Sequence, residues 1–482
     1  MTRIVSGPFN RVEGDLEVKL DVEAGRIQQA QVTAPMYRGF EQILHGKPPL
    51  DAMIIVPRIC GICSVSQSIA AARALAATAN IEVPENGAYL ANLIHAVENA
   101  ADHFTHFYLF FMPDFANPHY RDYPWYDEVV QRFRAIKGAA APQVLQARAE
   151  FMHLLGLFAG KWPHSLTIQP AGVTHAPDRG ELLRAAAMLA SFRSFLETAL
   201  YGSSLEQVVA LTSAQELAAW LAQAKSQASD FGVFLRIAND MELASYGRGT
   251  GRLLSYGAYG FGTTPMFKAG VWDQGWQALD IEAITEDVSH AWLQGTGKAM
   301  TPVQGVTLPD ADKAGAYTWC KAPRLNGKVM EVGALARQVI DGQPLLRELF
   351  RHQGANVYSR IVARMIELAR LVLAMESWLG NITPGAIVMG EQSLPTEAMG
   401  VGLTEAARGS LGHWLHIRNG RLLNYQIIAP TTWNFSPRDA EGTPGALEQA
   451  LQGTPVAEGD SQPVIVQHIV RSFDPCMVCT VH

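Results

Sequence analysis

Apolar and polar residues alternate through the first 35 residues of the chain, most clearly over 16–22. A period of two residues is typical of a strand with one buried face, and the Glu23-Ala24-Gly25 sequence favours a turn. We therefore predict an antiparallel pair of strands at the start of the chain. The same alternation over 422–428 predicts another strand near its end.

Helical spacing of apolar residues dominates most of the remaining chain. In chain order it predicts helices over 64–80, 86–111, 144–159, 181–200, 205–226 and 354–380, with Gly380 as the stop of the last one. The segment 240–350 is rich in Gly and Pro, and we interpret it as irregular chain with small strands. The predicted fold class is α-rich α+β, with a central bundle of long helices and small antiparallel sheets at its periphery.

Composition restricts the possible functions of this fold. Apolar residues make up 48% of the 482 residues and charged residues 17%, so the chain can build a large core and is not globally disordered. The net charge of −7 argues against nucleic acid as the main partner. Because no long uncharged apolar run and no export signal are found, we expect no membrane span and a cytoplasmic location. Export with a partner that carries the signal is the alternative.

Four of the five cysteines form two Cys-x-x-Cys pairs at opposite ends of the chain. Cys60 and Cys63 make the first pair. Cys476 and Cys479 make the second, three residues before His482, which is the last residue. A Cys-x-x-Cys loop points two thiolates at one soft metal, and two such loops give a four-thiolate site.

A structural zinc site is the plainest interpretation of four cysteines. Three features argue against it: the pairs are roughly 400 residues apart, Arg58 and Asp474 lie beside the loops, and His482 offers a further ligand. If both pairs bind one metal, the N- and C-terminal segments must meet at a buried centre. We therefore expect one interwoven domain over 1–482, although the length alone favours two or three domains.

The two cysteine motifs resemble those of the large subunit of nickel–iron hydrogenases. They run from Arg58 to Cys63 and from Asp474 to His482, and the resemblance begins at residues 10–14, so that it covers essentially the whole chain. It implies a nickel–iron centre whose iron carries cyanide and carbon monoxide, and heterolytic cleavage of H2 as the reaction.

The resemblance also implies individual roles for residues near the metals. Cys60 and Cys476 would bind nickel alone, whereas Cys63 and Cys479 would bridge nickel and iron. Cys476 would be the first proton acceptor, and Glu13 the relay that carries the proton away, a duty that requires a raised pKa.

Further residues are implied to hold the ligands of the iron. Arg408 would donate to one cyanide and pair with Asp114 and Asp474, because an unpaired buried arginine is unfavourable. The hydroxyl of Thr431 would donate to the other cyanide. Cys320 has no partner cysteine and is interpreted as a small buried apolar residue.

A magnesium ion near the end of the chain is implied as well. Its protein ligands would be Glu41, His482 and a backbone carbonyl near Ile427, since magnesium prefers hard oxygen ligands and water. We interpret His103 and His106 as packed histidines and not as nickel ligands.

Several positions depart from the pattern that is common among catalytic members of the family, and three of them bear most on the function. Gln67 stands where most members have a histidine that bonds to the sulfur of Cys63, and an amide can donate there but cannot become charged near neutral pH. Ile62 and Phe110 stand where Val and Leu are common, at the end of a gas channel. Larger side chains there would favour H2 over O2, although tolerated core repacking is the alternative.

The chain ends at His482, whereas most precursors in the family carry a short extension that is removed later. Either the sequence is a processed form or the gene encodes no extension. Together with Gln67, Ile62 and Phe110, the C-terminus without an extension resembles the regulatory branch of the family. Members of that branch are slow, oxygen-tolerant hydrogen sensors that signal to a histidine kinase. The alternatives are a catalytic uptake hydrogenase large subunit and, against the four cysteines, a non-catalytic metal-binding or quinone-oxidoreductase-type subunit.

The cysteine count also bears on electron transfer. After the two pairs only Cys320 remains, so we expect no iron–sulfur cluster in this chain. An iron–sulfur-cluster small subunit is therefore required as a partner, in a heterodimer or a dimer of heterodimers.

Overall fold

The structure is a computed structural model that describes residues 2–295 and 298–482. Its strands are β1 Thr2–Ser6, β2 Glu17–Glu23, β3 Arg26–Thr33, β4 Ile168–Gln169, β5 Gly172–Val173, β6 Arg252–Ala258, β7 Phe267–Asp273, β8 Trp276–Gln277, β9 Ile284–Asp287, β10 Ala322–Leu325, β11 Ala398–Ala406, β12 Gly409–Arg418 and β13 Arg421–Ile428. Its α-helices are α1 Phe40–Leu44, α2 Ala52–Ile55, α3 Ser64–Ala77, α4 Glu85–Thr105, α5 Tyr126–Phe133, α6 Ala140–Ala159, α7 Arg179–Phe195, α8 Leu205–Val209, α9 Ala214–Leu221, α10 Ala224–Ala228, α11 Asp230–Asp240, α12 Ala334–Asp341, α13 Pro344–Gln353, α14 Val357–Asn381, α15 Pro430–Asn434, α16 Ala446–Leu451, α17 Val464–Ser472 and α18 Met477–Thr480.

Shorter helical turns complete the secondary structure. The 3-10 turns are Pro49–Asp51, Val56–Ile59, Met112–Ala116, Pro118–Tyr120, Leu243–Ser245 and Ile281–Ala283, and the π-helices are His106–Phe111 and Leu196–Tyr201.

The strands form small antiparallel sheets at the periphery. The predicted N-terminal strand pair is confirmed as β2 and β3, and β1 adds a third strand to the same sheet. Ala24 and Gly25 connect β2 to β3 with positive φ angles of 51° and 70°, as a tight hairpin turn requires. The strand predicted over 422–428 is confirmed within β13.

Long helices pack side by side to form the core. α4 lies against α14 on one side and α6 on the other, and α6 packs in turn on α7. The inward residues of α14, such as Ile361, Ile366 and Leu368, are fully buried. The predicted fold class is therefore confirmed: a mixed, helix-rich fold with small antiparallel sheets.

The sheet of β11, β12 and β13 lies directly on α3, the helix that follows the first cysteine pair. Gly400 and Gly402 make this close approach possible, since a Cβ atom at either position would come within 2.1 Å of a backbone oxygen of α3. This contact fixes α3 against the strands that lead into the C-terminal part of the chain.

Several helix boundaries differ from the sequence predictions. The helix predicted over 86–111 is α-helical only to Thr105 and continues as a π-helix, which the apolar periodicity does not reveal. Gly380 lies inside the last turn of α14 and does not end it. The segment 205–226 forms three short helices, and 240–350 contains two helices, α12 and α13, beside its small strands.

The C-terminal segment is buried, as predicted from the position of the second cysteine pair. Residues 474–482 are all buried except Val478, which is partly exposed. Separately, a search of the described residues found no helix with the length and apolar character that crossing a membrane requires.

Candidate metal centre

The two cysteine pairs meet in the interior. The Sγ atoms of Cys60, Cys63, Cys476 and Cys479 all lie within 4.8 Å of one another, and all four residues are buried. The Cys60–Cys476 sulfur distance is 3.4 Å, and the Cys63–Cys479 distance is 3.2 Å. Within the described residues this is the only group of three or more His, Cys, Asp or Glu side chains with such spacing.

Both pairs sit where a short helix begins. Cys60 is extended and follows the 3-10 turn Val56–Ile59, whereas Cys63 is the N-cap of α3. Cys476 is the N-cap of α18. The sulfurs therefore lie near free backbone N–H groups, and the N–H of Ile62 donates to Cys60 Sγ over 3.3 Å. Such donors stabilise thiolates.

Because the four thiols are crowded together, their pKa values differ from one another. A hydrogen bond from Cys476 lowers the pKa of Cys60 well below its usual range. Burial raises the pKa values of Cys476 and Cys479. The cluster therefore binds a cation readily, because a soft metal would relieve the repulsion that four thiolates would otherwise feel.

Glu13 lies beside the second cysteine pair. The N–H of Met477 donates to the Glu13 carbonyl over 2.7 Å, and Glu13 forms an isolated parallel bridge with Cys476. Burial raises the pKa of the half-buried Glu13 carboxyl, in the direction that a proton relay requires. Gly14 must be glycine here, because its φ is +81° and a Cβ would lie 3.0 Å from the Val478 nitrogen.

Arg408 is buried and pairs with two aspartates. Its NH2 group donates to Asp102 Oδ1 over 2.9 Å and to Asp474 Oδ1 over 3.3 Å. Its Nε has no hydrogen-bond partner among the described residues, which leaves a donor free for an anionic ligand. The predicted pairing with Asp474 is confirmed.

The predicted pairing of Arg408 with Asp114 is wrong. Asp114 lies on the 3-10 turn Met112–Ala116, beyond the π-helix, where it contacts Arg11 and Arg471 instead. Asp102, on α4, takes the expected place.

Thr431 lies directly behind the second cysteine pair, in the first turn of α15. Its Oγ1 accepts a hydrogen bond from the Cys476 N–H over 3.0 Å. The hydroxyl proton is therefore free to donate to another group, as the predicted role requires.

Gln67 is fully buried one helical turn after Cys63 on α3. Its Oε1 faces His413 Nε2 at 2.8 Å, and the other ring nitrogen of His413 contacts the Tyr425 hydroxyl at 2.7 Å. The amide Nε2, expected to donate to the sulfur of Cys63, has no partner among the residues that the structure describes.

The two predicted channel residues are both partly buried. Ile62 lies within the first cysteine loop, and Phe110 lies in the π-helix His106–Phe111. A π-helix is a rare local form that often occurs at functional sites. The role of both side chains in gas access stays a prediction.

The C-terminal histidine is anchored by Glu41. His482 Nε2 lies 3.3 Å from Glu41 Oε1, which also accepts from the backbone N–H of Ile427 over 2.8 Å. Lys321 contributes the charge that balances Glu41, with Nζ 3.2 Å from the same oxygen. Burial raises the pKa of Glu41, but Lys321, His482 and Thr307 together outweigh it, and the pKa falls to about 2.

These residues fit a hard cation. Glu41 Oε2 and Glu286 Oε1 are buried carboxylate oxygens without a hydrogen-bond partner within the described part of the chain. Carboxylate oxygens are the hard ligands that magnesium prefers. The residues expected to pack do so: Cys320 is fully buried, His103 contacts Glu367, and His106 contacts the Arg471 carbonyl.

Sequence reasoning missed Asp102, His413 and Lys321. Each is a single charged or polar residue in an apolar or strand-like stretch, and its partner lies more than a hundred residues away. Only the burial of an uncompensated Arg408, Gln67 or Glu41 could have indicated that such partners exist.

Comparison with known proteins gives a consistent result. The family described as nickel-dependent hydrogenase matches residues 38–120 and 141–482. The large subunit of the periplasmic [NiFeSe] hydrogenase of Desulfomicrobium baculatum is 30% identical over an alignment covering 100% of this chain and 95% of that protein. The Hydrogenase-2 large chain of Escherichia coli K12 is 27% identical and covered to 97%.

Solved structures agree with the sequence relatives. The Ni-Fe-Se hydrogenase from D. vulgaris Hildenborough in the reduced state superposes with a TM-score of 0.83 and 32% identity, covering 100% of both chains. The reduced, active form of the enzyme from Desulfomicrobium baculatum gives a TM-score of 0.85 at 29% identity.

Proposed function

Because the chain belongs to the nickel-dependent hydrogenase family, we propose that its four clustered cysteines hold a nickel–iron centre. Cys60 and Cys476 would hold the nickel, and Cys63 and Cys479 would be shared by nickel and iron. The observation that carries this proposal is the group of four buried sulfurs within 4.8 Å. When bound, such a centre supplies heterolytic cleavage of H2, which gives two protons and two electrons.

The protons leave through residues of this chain. Cys476 would take the first proton at Sγ, because a metal-bound thiolate remains basic enough to accept one. Glu13 takes the proton onward. Its support is the backbone contact to Met477 and a carboxyl pKa that burial raises toward the operating range.

Arg408 and Thr431 orient the ligands of the iron. The free Nε–H of Arg408 would donate to one cyanide and the Thr431 hydroxyl to the other, while Asp102 and Asp474 pair with the buried guanidinium. Glu41, His482 and the Ile427 carbonyl would hold magnesium.

The electrons leave through a partner. Cys320 is buried and alone, so we propose an iron–sulfur small subunit as the acceptor, in a heterodimer or a dimer of heterodimers. We also propose that residues 1–482 form one interwoven domain, supported by the meeting of both chain ends at Cys60 and Cys476.

Nickel content and infrared spectra test the metal centre. The purified wild type is expected to show bands of bound carbon monoxide and cyanide and about one nickel per chain. Cys63→Ser is expected to lower nickel at least tenfold by elemental analysis, because a bridging thiolate is lost. Cys320→Ser is the matched control and keeps both signals. Wild type without the bands, or full nickel in Cys63→Ser, contradicts the proposal.

We further propose that this hydrogenase is a slow, oxygen-tolerant sensor that signals to a histidine kinase in the cytoplasm. Gln67, Ile62 and Phe110 support this proposal, because two of them would narrow gas access. The second candidate is an uptake enzyme, favoured by relatives such as the uptake hydrogenase large subunit of Azotobacter chroococcum, which is 29% identical. All of these relatives are named hydrogenases, so the non-catalytic alternative is set aside.

Turnover in air separates the two candidates. A sensor is expected to reduce a dye with H2 slowly and at the same rate before and after exposure to air. The double variant Ile62→Val with Phe110→Leu is expected to lose activity in air several times faster, since smaller side chains widen the channel. Fast wild-type turnover that air abolishes rejects the sensor assignment. An unchanged double variant rejects gating by these side chains.

A further inference from the structure

Asp114 is the centre of a buried ionic cluster that the proposed reaction does not use. Its Oδ1 accepts from Arg11 NH2, and both of its oxygens lie 2.8 Å from Arg471 NH1. His468 Nδ1 lies 3.5 Å from Oδ2. Burial alone would raise the pKa of Asp114, but His468, Arg471 and Arg11 together hold it well below its usual range. The carboxylate is therefore a permanent anion between two arginines.

The two arginines reach different segments of the chain. Arg11 NH1 donates to the Phe110 carbonyl over 3.1 Å, at the end of the π-helix. Arg471 NH2 donates to the carbonyl and the side-chain oxygen of Asn10, over 2.8 Å and 2.7 Å. We call these residues, Asn10, Arg11, Phe110, Asp114 and Arg471, the Asp114 clamp.

Both segments held by the clamp have unfavourable backbone geometry. Arg11 is left-handed, with φ of 54°, which costs a non-glycine residue about 1 kcal/mol or more. The π-helix that contains Phe110 replaces the more stable α-helical hydrogen-bond pattern. Such conformations persist only where the surroundings fix them, and here the surroundings are the two arginines.

Glu13 follows Arg11 by two residues, and its backbone is joined to the second cysteine pair. We propose that Asp114 is a positioning residue that fixes the Glu13 segment and the Phe110 segment relative to each other. This inference rests on the proposed function, in which Glu13 moves protons and Phe110 lines the gas path. The clamp thereby determines how fast protons are released relative to how fast gas escapes.

Isotope exchange measures that balance directly. When D2 is cleaved in H2O, one deuteron exchanges with a solvent proton and HD forms. HD that stays in the protein is cleaved again, and a second exchange with solvent gives H2. The initial HD:H2 ratio therefore rises when gas escapes faster or proton exchange slows. Asp114→Asn is expected to raise this ratio at least twofold, because the substitution removes the negative charge between the arginines and replaces Oδ2, which accepts from Arg471, by an NH2 group that cannot accept.

Two further variants keep the test decisive. Arg11→Met leaves the Asp114–Arg471 pair intact, folds even if Asp114→Asn does not, and is expected to raise the ratio in the same direction. Asp439→Asn breaks the buried Arg324–Asp439 pair, of similar burial, and is expected to leave the ratio unchanged. An unchanged ratio in Arg11→Met, or an equal rise in Asp439→Asn, overturns the proposal.

Amide hydrogen exchange provides a readout that does not need activity. In both clamp variants, peptides spanning 8–15 and 106–113 are expected to exchange together at least several times faster, whereas the infrared bands of the centre stay unchanged. Faster exchange in only one of the two segments overturns the coupling. Missing infrared bands in the wild type would reject the nickel–iron centre, while the exchange comparison would still decide the clamp.

Discussion

At the scale of single residues, the two aspartates that pair with Arg408 differ in their ionisation. Burial raises the pKa of Asp102 to about 8, so this carboxyl holds a proton at neutral pH. Burial acts on Asp474 too, but Arg408, together with His106 and Arg364, outweighs it and lowers the pKa of Asp474. One charged aspartate therefore balances the guanidinium, and the second supplies a hydrogen bond without a second charge.

The same substitution is expected to have unequal effects at the two positions. Asp474→Asn removes the ionised partner of Arg408 and should lower the free energy of unfolding by about 3 kcal/mol at pH 7. Asparagine tolerates the left-handed φ of 58° at residue 474, so the backbone is preserved. Asp102→Asn replaces a protonated carboxyl and should cost less than about 1 kcal/mol. Denaturant unfolding measures both, and equal losses would contradict the assigned ionisation.

At the scale of elements, α3 depends on a carboxylate from a neighbouring helix. Glu98 of α4 accepts from the backbone N–H groups of Val65 and Ser66, each over 2.8 Å, and from the Trp162 indole. It thus satisfies the free donors at the helix start that follows Cys63. Because Glu98 is fully desolvated, its pKa rises to about 7 in spite of these bonds.

Glu98 should make stability depend on pH. The folded chain protonates this residue below about pH 7, and an unfolded chain does so only below about 4.5. Between these values the folded state binds more protons, so the free energy of unfolding falls by about 3 kcal/mol as pH rises from 4.5 to 7.

Thermal unfolding from pH 5 to 8 tests this effect. Glu98→Gln cannot ionise and should flatten the decline in melting temperature with rising pH. Glu216→Gln, at an exposed helix start, is the control and should keep the wild-type slope. A wild-type slope in Glu98→Gln would show that another group causes the dependence.

Elements also show where periodicity is sufficient. The strongest helix prediction, 354–380, matches α14 closely because a long apolar stripe must face the core. The prediction over 205–226 merged three helices. Ser204 and Ser213 begin two of them with side-chain caps that the apolar pattern does not show.

At the scale of the whole molecule, the chain closes on itself around the centre. The Val481 carbonyl accepts from the Arg38 N–H over 3.2 Å, and His482 Nδ1 lies 2.6 Å from the Cys479 carbonyl. The second cysteine pair is therefore held from both sides, by Glu13 before it and by His482 after it. Order at the centre and order at the C-terminus depend on each other.

Loss of the terminal ring should loosen the tail. His482→Ala removes the contacts to Glu41 and the Cys479 carbonyl, and should lower the free energy of unfolding by about 2 kcal/mol. Amide exchange over 474–482 should rise, and nickel content should fall with it. His352→Ala, at an exposed histidine, is the control. Unchanged protection of the tail would show that backbone hydrogen bonds alone hold it.

The sequence by itself determined the fold class, the four-cysteine group and most long helices. These follow from local patterns: apolar periodicity sets which faces are buried, and two motifs identify ligands whatever lies between them. Only the tertiary structure decided which charges meet. Asp102 and Arg408 are 306 residues apart, and no local pattern favours Asp102 over Asp114 as the partner. The hydrogen-bond partner of a buried arginine is selected by distance in three dimensions, after helices of fixed length have packed.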